Sequence, residues 1–380
     1  MEYIVLMPKP SKSRFFRMLP FLAIASAILY AANWAVYEAL ASAFSISASW
    51  QLWLLGTALG ILSGSLIVSL ILGMKHYNAF TRAYSLLASV WIGTFVYLFL
   101  ASVIYGVLGL FPIAGMALVG KILAGCALLA SIYGMIHAKH IHIKEVEVSL
   151  SDLPAAWRDK KAVWISDLHL GQIHGSAFAR KVVDKINGRK HDIVFIGGDL
   201  FDGTSAPDLF KLAAPLKNLH APLGVYYITG NHEEFGDNRK FISAVKSLGI
   251  EILQDKMIEI DGLQIAGVDY STASDKDRFR NIVSSLQIDK KKPSILLKHE
   301  PADIDVAQEA GISLQISGHT HRAQMWPLGY IAHLTYKGFS YGLKAKGEMQ
   351  VYTSSGVGTW GPPLRVGTDS EIVLFSFKDK

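Results

Sequence analysis

Residues 19–136 are almost wholly apolar, and this stretch constrains the chain more than any other feature of its 380 residues. It divides into four segments, at residues 17–43, 50–74, 84–110 and 113–137. Each reaches the roughly 20 residues needed to cross the hydrocarbon of a bilayer. A secretory leader is the competing reading of the first run, and Ala41-Ser42-Ala43 has the form of a cleavage site. That run exceeds a leader core of about 7–15 residues, and three more follow it, so a four-span helical membrane domain is expected instead.

The flanking charges give the spans a direction. Lys9, Lys12, Arg14 and Arg17 precede the first, Lys75 and Arg82 lie between the second and third, and Lys139 and Lys144 follow the fourth. The other two connections, near residues 44–49 and 111–112, carry no charge. Positive charge stays on the cytoplasmic side, so both termini and whatever follows the fourth span are expected in the cytoplasm. Gly56, Gly60 and Gly64 recur at four-residue spacing, and Gly115, Gly120 and Gly125 form a looser set. Small faces let helices approach closely, which predicts a compact bundle, with a homodimer face as the alternative. Glu38 and Lys121 are charges inside the expected spans, and such charges are costly unless paired. A structural clasp between them is the expectation.

The expected domains are a basic head at 1–16, four transmembrane helices at 17–137, a linker with a first extended segment at 138–160, and a globular domain at 161–380. The one cysteine, Cys126, precludes an intrachain disulfide and thiolate metal sites, leaving His, Asp, Glu and Asn as ligands. The net charge of +6 sits largely beside the apolar runs, and no basic or aromatic motif for nucleic acid accompanies it.

Beyond residue 140, short runs rich in β-formers ("AVWIS", "DIVFIG", "GVYYIT", "LQIAGV", "SILLKH", "LQISG") alternate with helical stretches near 178–187, 208–219, 240–248, 277–286 and 304–310. This alternation predicts an α/β domain. The last two runs, "MQVYTS" and "EIVLFSF", have no helix between them, which suggests two packed sheets rather than one open parallel sheet.

Polar residues cluster where these strands end. "WISDLHLG" carries Asp167 and His169, "VFIGGDLFDG" carries Asp199, "YYITGNHEE" carries Asn231 and His232, "LLKHEP" carries His299, and "LQISGHTHR" carries His319 and His321. The carboxyl ends of strands line the ligand crevice of α/β sheets. Each piece alone is weak: Asp-x-His is common by chance, Gly-Gly-Asp is an ordinary turn, and a lone histidine is more often a satisfied core residue. Together they match a dinuclear site of oxygen and nitrogen ligands, suited to Mn, Fe or Zn. Asp199, central in the order, is the natural bridge. Two ions about 3.5–4 Å apart activate a water and clamp a phosphoryl group for in-line displacement.

In this order the blocks Asp-x-His, Gly-Asp, Gly-Asn-His-Glu, His and Gly-His-x-His resemble those of the calcineurin-like metallophosphoesterases, over residues 162–377. The resemblance implies a two-sheet β-sandwich flanked by helices. It implies Asp167, His169 and His321 as ligands of one ion, Asn231, His299 and His319 as ligands of the other, and Asp199 between them. It implies for His232 a contact to phosphate and a proton for the leaving group. Asp202 stands where purple acid phosphatases carry a tyrosine ligand, which argues against that branch. The tail "GVGTWGPPLRVG" resembles membrane-associated phosphodiesterases related to UDP-2,3-diacylglucosamine hydrolases, although that branch continues "GHTHGGQ" where this chain has "GHTHRAQ". Arg322 and, more weakly, Arg365 are therefore candidate phosphate contacts.

The expected function is a membrane-anchored phosphoesterase, metal-dependent through two ions, acting on a phosphodiester or pyrophosphate whose carrier is membrane-associated or lipid-linked. A phosphomonoesterase or protein phosphatase would use the same metals. A receptor or transport unit with a regulatory phosphoesterase domain is the rival class, but it calls for polar or broken helices at mid-membrane. A catalytically dead scaffold is disfavoured because every ligand position is filled.

Overall fold

The computed structural model describes residues 12–203, 208–235 and 238–380, with side chains from residue 27 onward. Four long helices come first: α1 (Lys12–Ala43), α2 (Ser49–Lys75), α3 (Ala79–Leu108) and α4 (Met116–His137). Three of them, α2 to α4, are long and apolar enough to cross a membrane. The first expected span falls on α1. Lys9, and the side chains of Lys12, Arg14 and Arg17, lie outside the described residues.

The chain divides into two compact units, residues up to 64 with 94–130, and residues 65–93 with 131–380. Within the first unit the expectation of uniformly close packing needs correction. Gly120 packs tightly: a Cβ there would come within 2.5 Å of the Ala43 Cβ and 2.9 Å of the Tyr105 ring. Gly60 and Gly64 meet nothing within 4 Å. With Gly56 they line an open groove of about 880 Å³ between α1 and α2. The expected Glu38–Lys121 clasp is also corrected. Both residues are exposed, and among the described residues no ion pair joins them. The Lys121 ammonium instead lies 5.8 Å from the Phe44 ring, which offers an aromatic face to the cation.

The second unit carries the α/β domain, built on two six-stranded mixed sheets. The first comprises β1 (Ile141–Leu150), β12 (Ser370–Asp379), β2 (Lys161–Ile165), β3 (Ile193–Ile196), β4 (Val225–Tyr227) and β5 (Glu251–Ile252), in that spatial order. The second comprises β10 (Gly342–Lys346), β11 (Met349–Thr353), β9 (Leu314–Ser317), β8 (Ser294–Leu297), β7 (Leu263–Gly267) and β6 (Lys256–Ile260). β11 and β12 do fall in different sheets. The extended segment after the helices is β1, which pairs with β12 in parallel register from Ile141↔Ser370 to Leu150↔Asp379.

Period-two alternation builds the layers. In β2, Val163 and Ile165 face one core while Ala162 and Trp164 face another; in β3, Val194 and Ile196 divide from Ile193 and Phe195 in the same way. The first core takes the apolar faces of α5 (Ser176–Asn187), α6 (Leu209–Ala213) and α7 (Asn238–Lys246). The second lies between the sheets, where Trp164 and Phe195 meet Ile295, Leu297, Leu314 and Ile316. A third lies under α8 (Tyr270–Ala273), α9 (Lys276–Ser285) and α10 (Ile304–Glu309). The order is helix, sheet, sheet, helix. The single helix expected over 208–219 is instead α6 followed by a 3₁₀ segment at Ala214–Asn218, because Pro215 has no N–H to continue the α-helical ladder. A seven-residue helix, α11 (Gly329–Thr335), was not anticipated.

Candidate metal centre

Five strands deliver the polar residues to one rim. β2, β3 and β4 are parallel neighbours in the first sheet, and their ends lead into Asp167 and His169, Asp199, and Asn231 and His232. β8 and β9 are parallel neighbours in the second, and lead into His299 and into His319 and His321. The backbone turns sharply there. Asp167 (φ 58°), His169 (48°), Asp199 (49°), His319 (69°) and His321 (46°) all occupy the left-handed region. This is uncommon outside glycine and costs free energy, so such residues persist only where the surroundings fix them.

Two glycines make the close approach possible. Gly198 has φ 87°, and a Cβ there would lie 2.8 Å from His299 Nδ1. At Gly230 a Cβ would sit 2.2 Å from Asp199 Oδ1. Any side chain at either position would push the ligand loops apart.

The side chains converge in overlapping groups. Asp167, His169 and His321 form one, Asp199, His299 and His319 a second, and His169, Asp199 and His232 a third, with each group's donor atoms within 4.8 Å of one another. His321 Nε2 lies 3.5 Å from Asp167 Oδ1, and His299 Nε2 lies 3.3 Å from Asp199 Oδ2. Asn231 Oδ1 is 2.8 Å from His319 Nδ1 and 3.2 Å from His299 Nε2. Second-tier bonds orient the ligands. His299 Nδ1–H donates to Gly197 O at 2.7 Å, which leaves Nε2 facing the rim. The His319 backbone N–H donates to Asp167 Oδ1 at 3.0 Å.

Electrostatics follows from placing carboxylates among buried imidazoles. Burial opposes a charged His299, but the facing Asp199 carboxylate, helped by Asp167, outweighs it and raises the imidazole to about 10. Burial likewise opposes an ionised Asp199, yet His299, His169 and His232 hold its carboxyl far below the usual range. For His169, burial is overcome by Asp202, Asp199 and Asp167, which raise it. Burial and His169 push His321 well down, and burial and His299 lower His319.

This donor set fits a metal. His169 Nε2 and His321 Nε2, both buried, point at each other at 3.0 Å. Two imidazole lone pairs meet there unless a proton or a cation lies between them. The buried Nδ1 atoms of His169 and His232 have no hydrogen-bond partner. Carboxylate, imidazole and amide oxygen without thiolate suit Zn, Mn or Fe.

A family profile described as calcineurin-like phosphoesterase matches residues 160–323. A metallophosphoesterase of Helicobacter pylori is 34% identical over 242 residues, 63% of this chain and 64% of that protein. A Danio rerio protein described as a transmembrane protein with metallophosphoesterase domain is 30% identical over 266 residues, 65% of this chain and 60% of that one. The chain thus spans under two thirds of the length of both. A metallophosphoesterase of Aquifex aeolicus is 31% identical over 264 residues, and 98% of it is covered. The chain belongs to the calcineurin-like metallophosphoesterase family.

The converging His and Asp groups are ones that could hold metal ions. Two residues of this metallophosphoesterase's rim were given no role by the sequence. Glu233 is fully buried, and its carboxylate accepts N–H donors from Asp199 (3.0 Å), Gly230 (2.7 Å) and Phe201 (3.2 Å). It therefore braces the loops after β3 and β4 together. Burial, then the nearby Asp199, raises its carboxyl to about 7. Asp202 Oδ1 lies 3.6 Å from His169 Nδ1 and 3.8 Å from His232 Nδ1.

The two arginines part company. Arg322 is partly exposed, stacks on Tyr341 with 4.5 Å from its guanidinium carbon to the ring centroid, and lines a cavity of about 370 Å³. Arg365 is corrected as a phosphate contact. It is completely buried, and its Nη2 donates to the carbonyls of Ser355 (2.7 Å), Gly356 (3.2 Å) and Gly358 (2.6 Å). Its Nη2 is given over to holding the loop after β11, and Nη1 reaches the His321 carbonyl at 3.5 Å.

Proposed function

We propose that this metallophosphoesterase hydrolyses a phosphodiester or pyrophosphate at the membrane surface, using two divalent ions. Asp167, His169 and His321 would hold one, Asn231, His299 and His319 would hold the other, and Asp199 would serve both. The observation that carries the reading is the position of Asp199, whose carboxylate lies between His169 (3.8 Å) of its own sheet and His299 (3.3 Å) of the other. When bound, such ions supply Lewis-acid activation of water and neutralise charge on the phosphoryl oxygens.

The chain's own residues do the rest. Water oxygen bonds to phosphorus as the bond to the leaving-group oxygen breaks, and His232 gives that oxygen a proton. His232 is held by its backbone N–H, which donates to Asp199 Oδ1 at 2.9 Å, and by the flanking rings of His169 (4.5 Å), Phe235 (4.8 Å) and Trp360 (6.1 Å between centroids). Burial and the neighbouring His169 lower its basicity. An entering phosphoryl anion favours its charged form. Arg322, which follows His321 in the chain, is the side chain offered to a phosphoryl oxygen.

The membrane assignment rests on the three apolar helices and the basic connections, which together with α1 support four spans with both termini cytoplasmic. Tethering raises the local concentration of a membrane-borne substrate. The resemblance of the "GVGTWGPPLRVG" tail to lipid-envelope phosphodiesterases favours a lipid-linked ester.

The test uses purified full-length protein, stripped of metal and refilled with Mn, Fe or Zn, on bis-p-nitrophenyl phosphate and p-nitrophenyl phosphate. Diester hydrolysis should return with metal, and His232→Ala should lower it by roughly 10²–10⁴-fold. A folded protein that binds metal but hydrolyses neither ester would transfer the site to a binding role, as in the receptor reading.

A further inference from the structure

The helix α11 buries none of its residues. Tyr330, Ile331 and Leu334 share one helical face and are 68%, 63% and 77% exposed, and Trp326 just before them is 60% exposed. From residue 141 on, eight large apolar side chains are exposed among the described residues, and five of them, Leu343 included, fall between residues 326 and 343. Such a concentrated apolar patch marks an interaction surface.

Charge says what kind. From Arg322 to Gly347 the sequence contains no Asp or Glu, but it contains Arg322, Lys337, Lys344 and Lys346. Trp, Tyr and Leu on one side with Lys and Arg around them, and no acid, is the composition of an element lying in the interfacial layer of an anionic membrane.

Continuity with the membrane helices says where. Trp326 N–H donates to Val366 O at 2.8 Å, and the next residue back, Arg365, donates its N–H to Gly134 O in the last turns of α4 at 3.0 Å. Asp369 Oδ1 accepts from His137, the last residue of α4, at 2.8 Å. The patch is thus two residue pairs from the point where α4 ends. A second clamp lies beside it in the same unit: Gln172, three residues after His169, donates to Gly73 O (3.2 Å) and His76 O (2.9 Å) at the end of α2, and Arg82 Nε donates to Gln172 O (3.2 Å).

We propose that Trp326 and α11 form a monotopic foot that seats in the headgroup layer of the leaflet at the basic ends of the spans, with Lys337 and Lys344 against anionic lipid. The foot enters ~5–10 Å, the depth at which amphipathic elements lie. The 370 Å³ cavity lined by Trp326, Tyr330, Arg322 and Lys344 then opens onto headgroups rather than bulk water. That consequence, delivery of a phosphate-bearing lipid to the metal residues, rests on the function proposed above; the seating itself does not.

The test reads depth, not activity. In full-length protein with Cys126→Ser, Leu334→Cys carries an environment-sensitive fluorophore, and Lys217→Cys, exposed elsewhere in the domain, carries the control. Both are reconstituted into vesicles of phosphatidylcholine with or without phosphatidylglycerol, containing nitroxide-labelled lipid. Nitroxide near the headgroup should quench the Leu334 probe at least roughly twofold more than the control, and this excess should shrink without phosphatidylglycerol or with Lys337→Glu and Lys344→Glu. Equal quenching of the two probes by aqueous iodide, with no nitroxide excess, would overturn the proposal. Shielding from iodide and nitroxide alike would also overturn it, by showing a protein surface on the foot. A second arm compares Ile331→Glu with the unsubstituted protein: turnover of a vesicle-borne phosphoester should fall severalfold while a soluble ester is unaffected. If no ester is hydrolysed by either protein, the function fails and the fluorescence still decides the foot.

Discussion

The two sheets contribute unequal chemistry to one rim. The first, through the ends of β2, β3 and β4, supplies both carboxylates, Asp167 and Asp199, together with His169, Asn231 and His232. The second, through β8 and β9, supplies imidazoles alone: His299, His319 and His321. The first sheet's carboxylates raise one of the second sheet's histidines and not the other two. His299, which faces Asp199, is raised to about 10, while His319 and His321, where burial and neighbouring histidines prevail, are lowered. The first sheet provides both carboxylates and the bracing, and the second provides imidazoles, of which His319 and His321 favour the neutral form.

The largest break in this comparison comes from Asp199→Asn. It removes the carboxylate shared between the sheets and leaves His169 and His299 facing an amide. Metal content of the purified protein should fall, and hydrolysis should drop by roughly 10³-fold or more, about 4 kcal/mol of transition-state stabilisation. His319→Ala, from the imidazole-only sheet, should cost distinctly less, roughly 10²-fold. Metal analysis and kcat/KM of the two variants side by side check this. Equal losses would mean that the sheets are equivalent partners and that the division of labour is wrong.

Glu233→Gln sharpens the claim that bracing belongs to the first sheet. The carboxylate accepts three backbone N–H groups from the loops after β3 and β4. A glutamine keeps the shape but turns an NH₂ toward one of those donors, leaving a buried N–H unsatisfied at a cost of ~1–3 kcal/mol. Thermal unfolding should occur several degrees lower. Activity should fall by roughly 10–100-fold, the range for groups that orient a ligand rather than bind the ion. Unchanged stability would remove Glu233 from the frame.

Much of this division was readable from the chain. The strand runs and their terminal Asp, Asn and His residues are local patterns, and period two in "AVWIS" and "DIVFIG" is enough to place both sheet faces. What escaped depends on backbone groups, which carry no sequence signature. Glu233 reads as half of a surface pair, "HEE", until two N–H donors from the loop after β3 join that of Gly230 on it. Arg365 reads as a free phosphate contact until the Ser355, Gly356 and Gly358 carbonyls enclose it. The left-handed turns at Asp167, His169, Asp199, His319 and His321 would normally call for glycine, and only the assembled rim makes them tolerable. The α11 segment, "GYIAHLT", is too short for its periodicity to stand out. In the helical half, composition identified long apolar helices but paired Glu38 with Lys121, which the structure leaves apart, because pairing depends on how the helices pack.

The smallest effect concerns a contact between the two sheets' loops away from the rim. His174, after β2, accepts the Thr359 N–H on Nε2 at 3.1 Å, and Thr359 lies in the loop after β11. Burial, reinforced by the nearby His169 and Arg365 charges, lowers this imidazole to about 4. Its unfolded value is near 6.5, so the folded state favours the neutral ring. Above about 6.5 both states are neutral and the full stability is present. As pH falls from about 6.5 toward 4, the unfolded chain takes up a proton that the folded one refuses, and stability declines, with no further loss below. A glutamine at 174 can still accept from Thr359 but cannot titrate. The difference in Tm between His174→Gln and the unsubstituted protein should therefore move in the variant's favour as pH falls across this window, and level off outside it. A constant offset at every pH would show that the sheets' loops are joined here by shape alone, leaving the rim as the one place where charge passes between them.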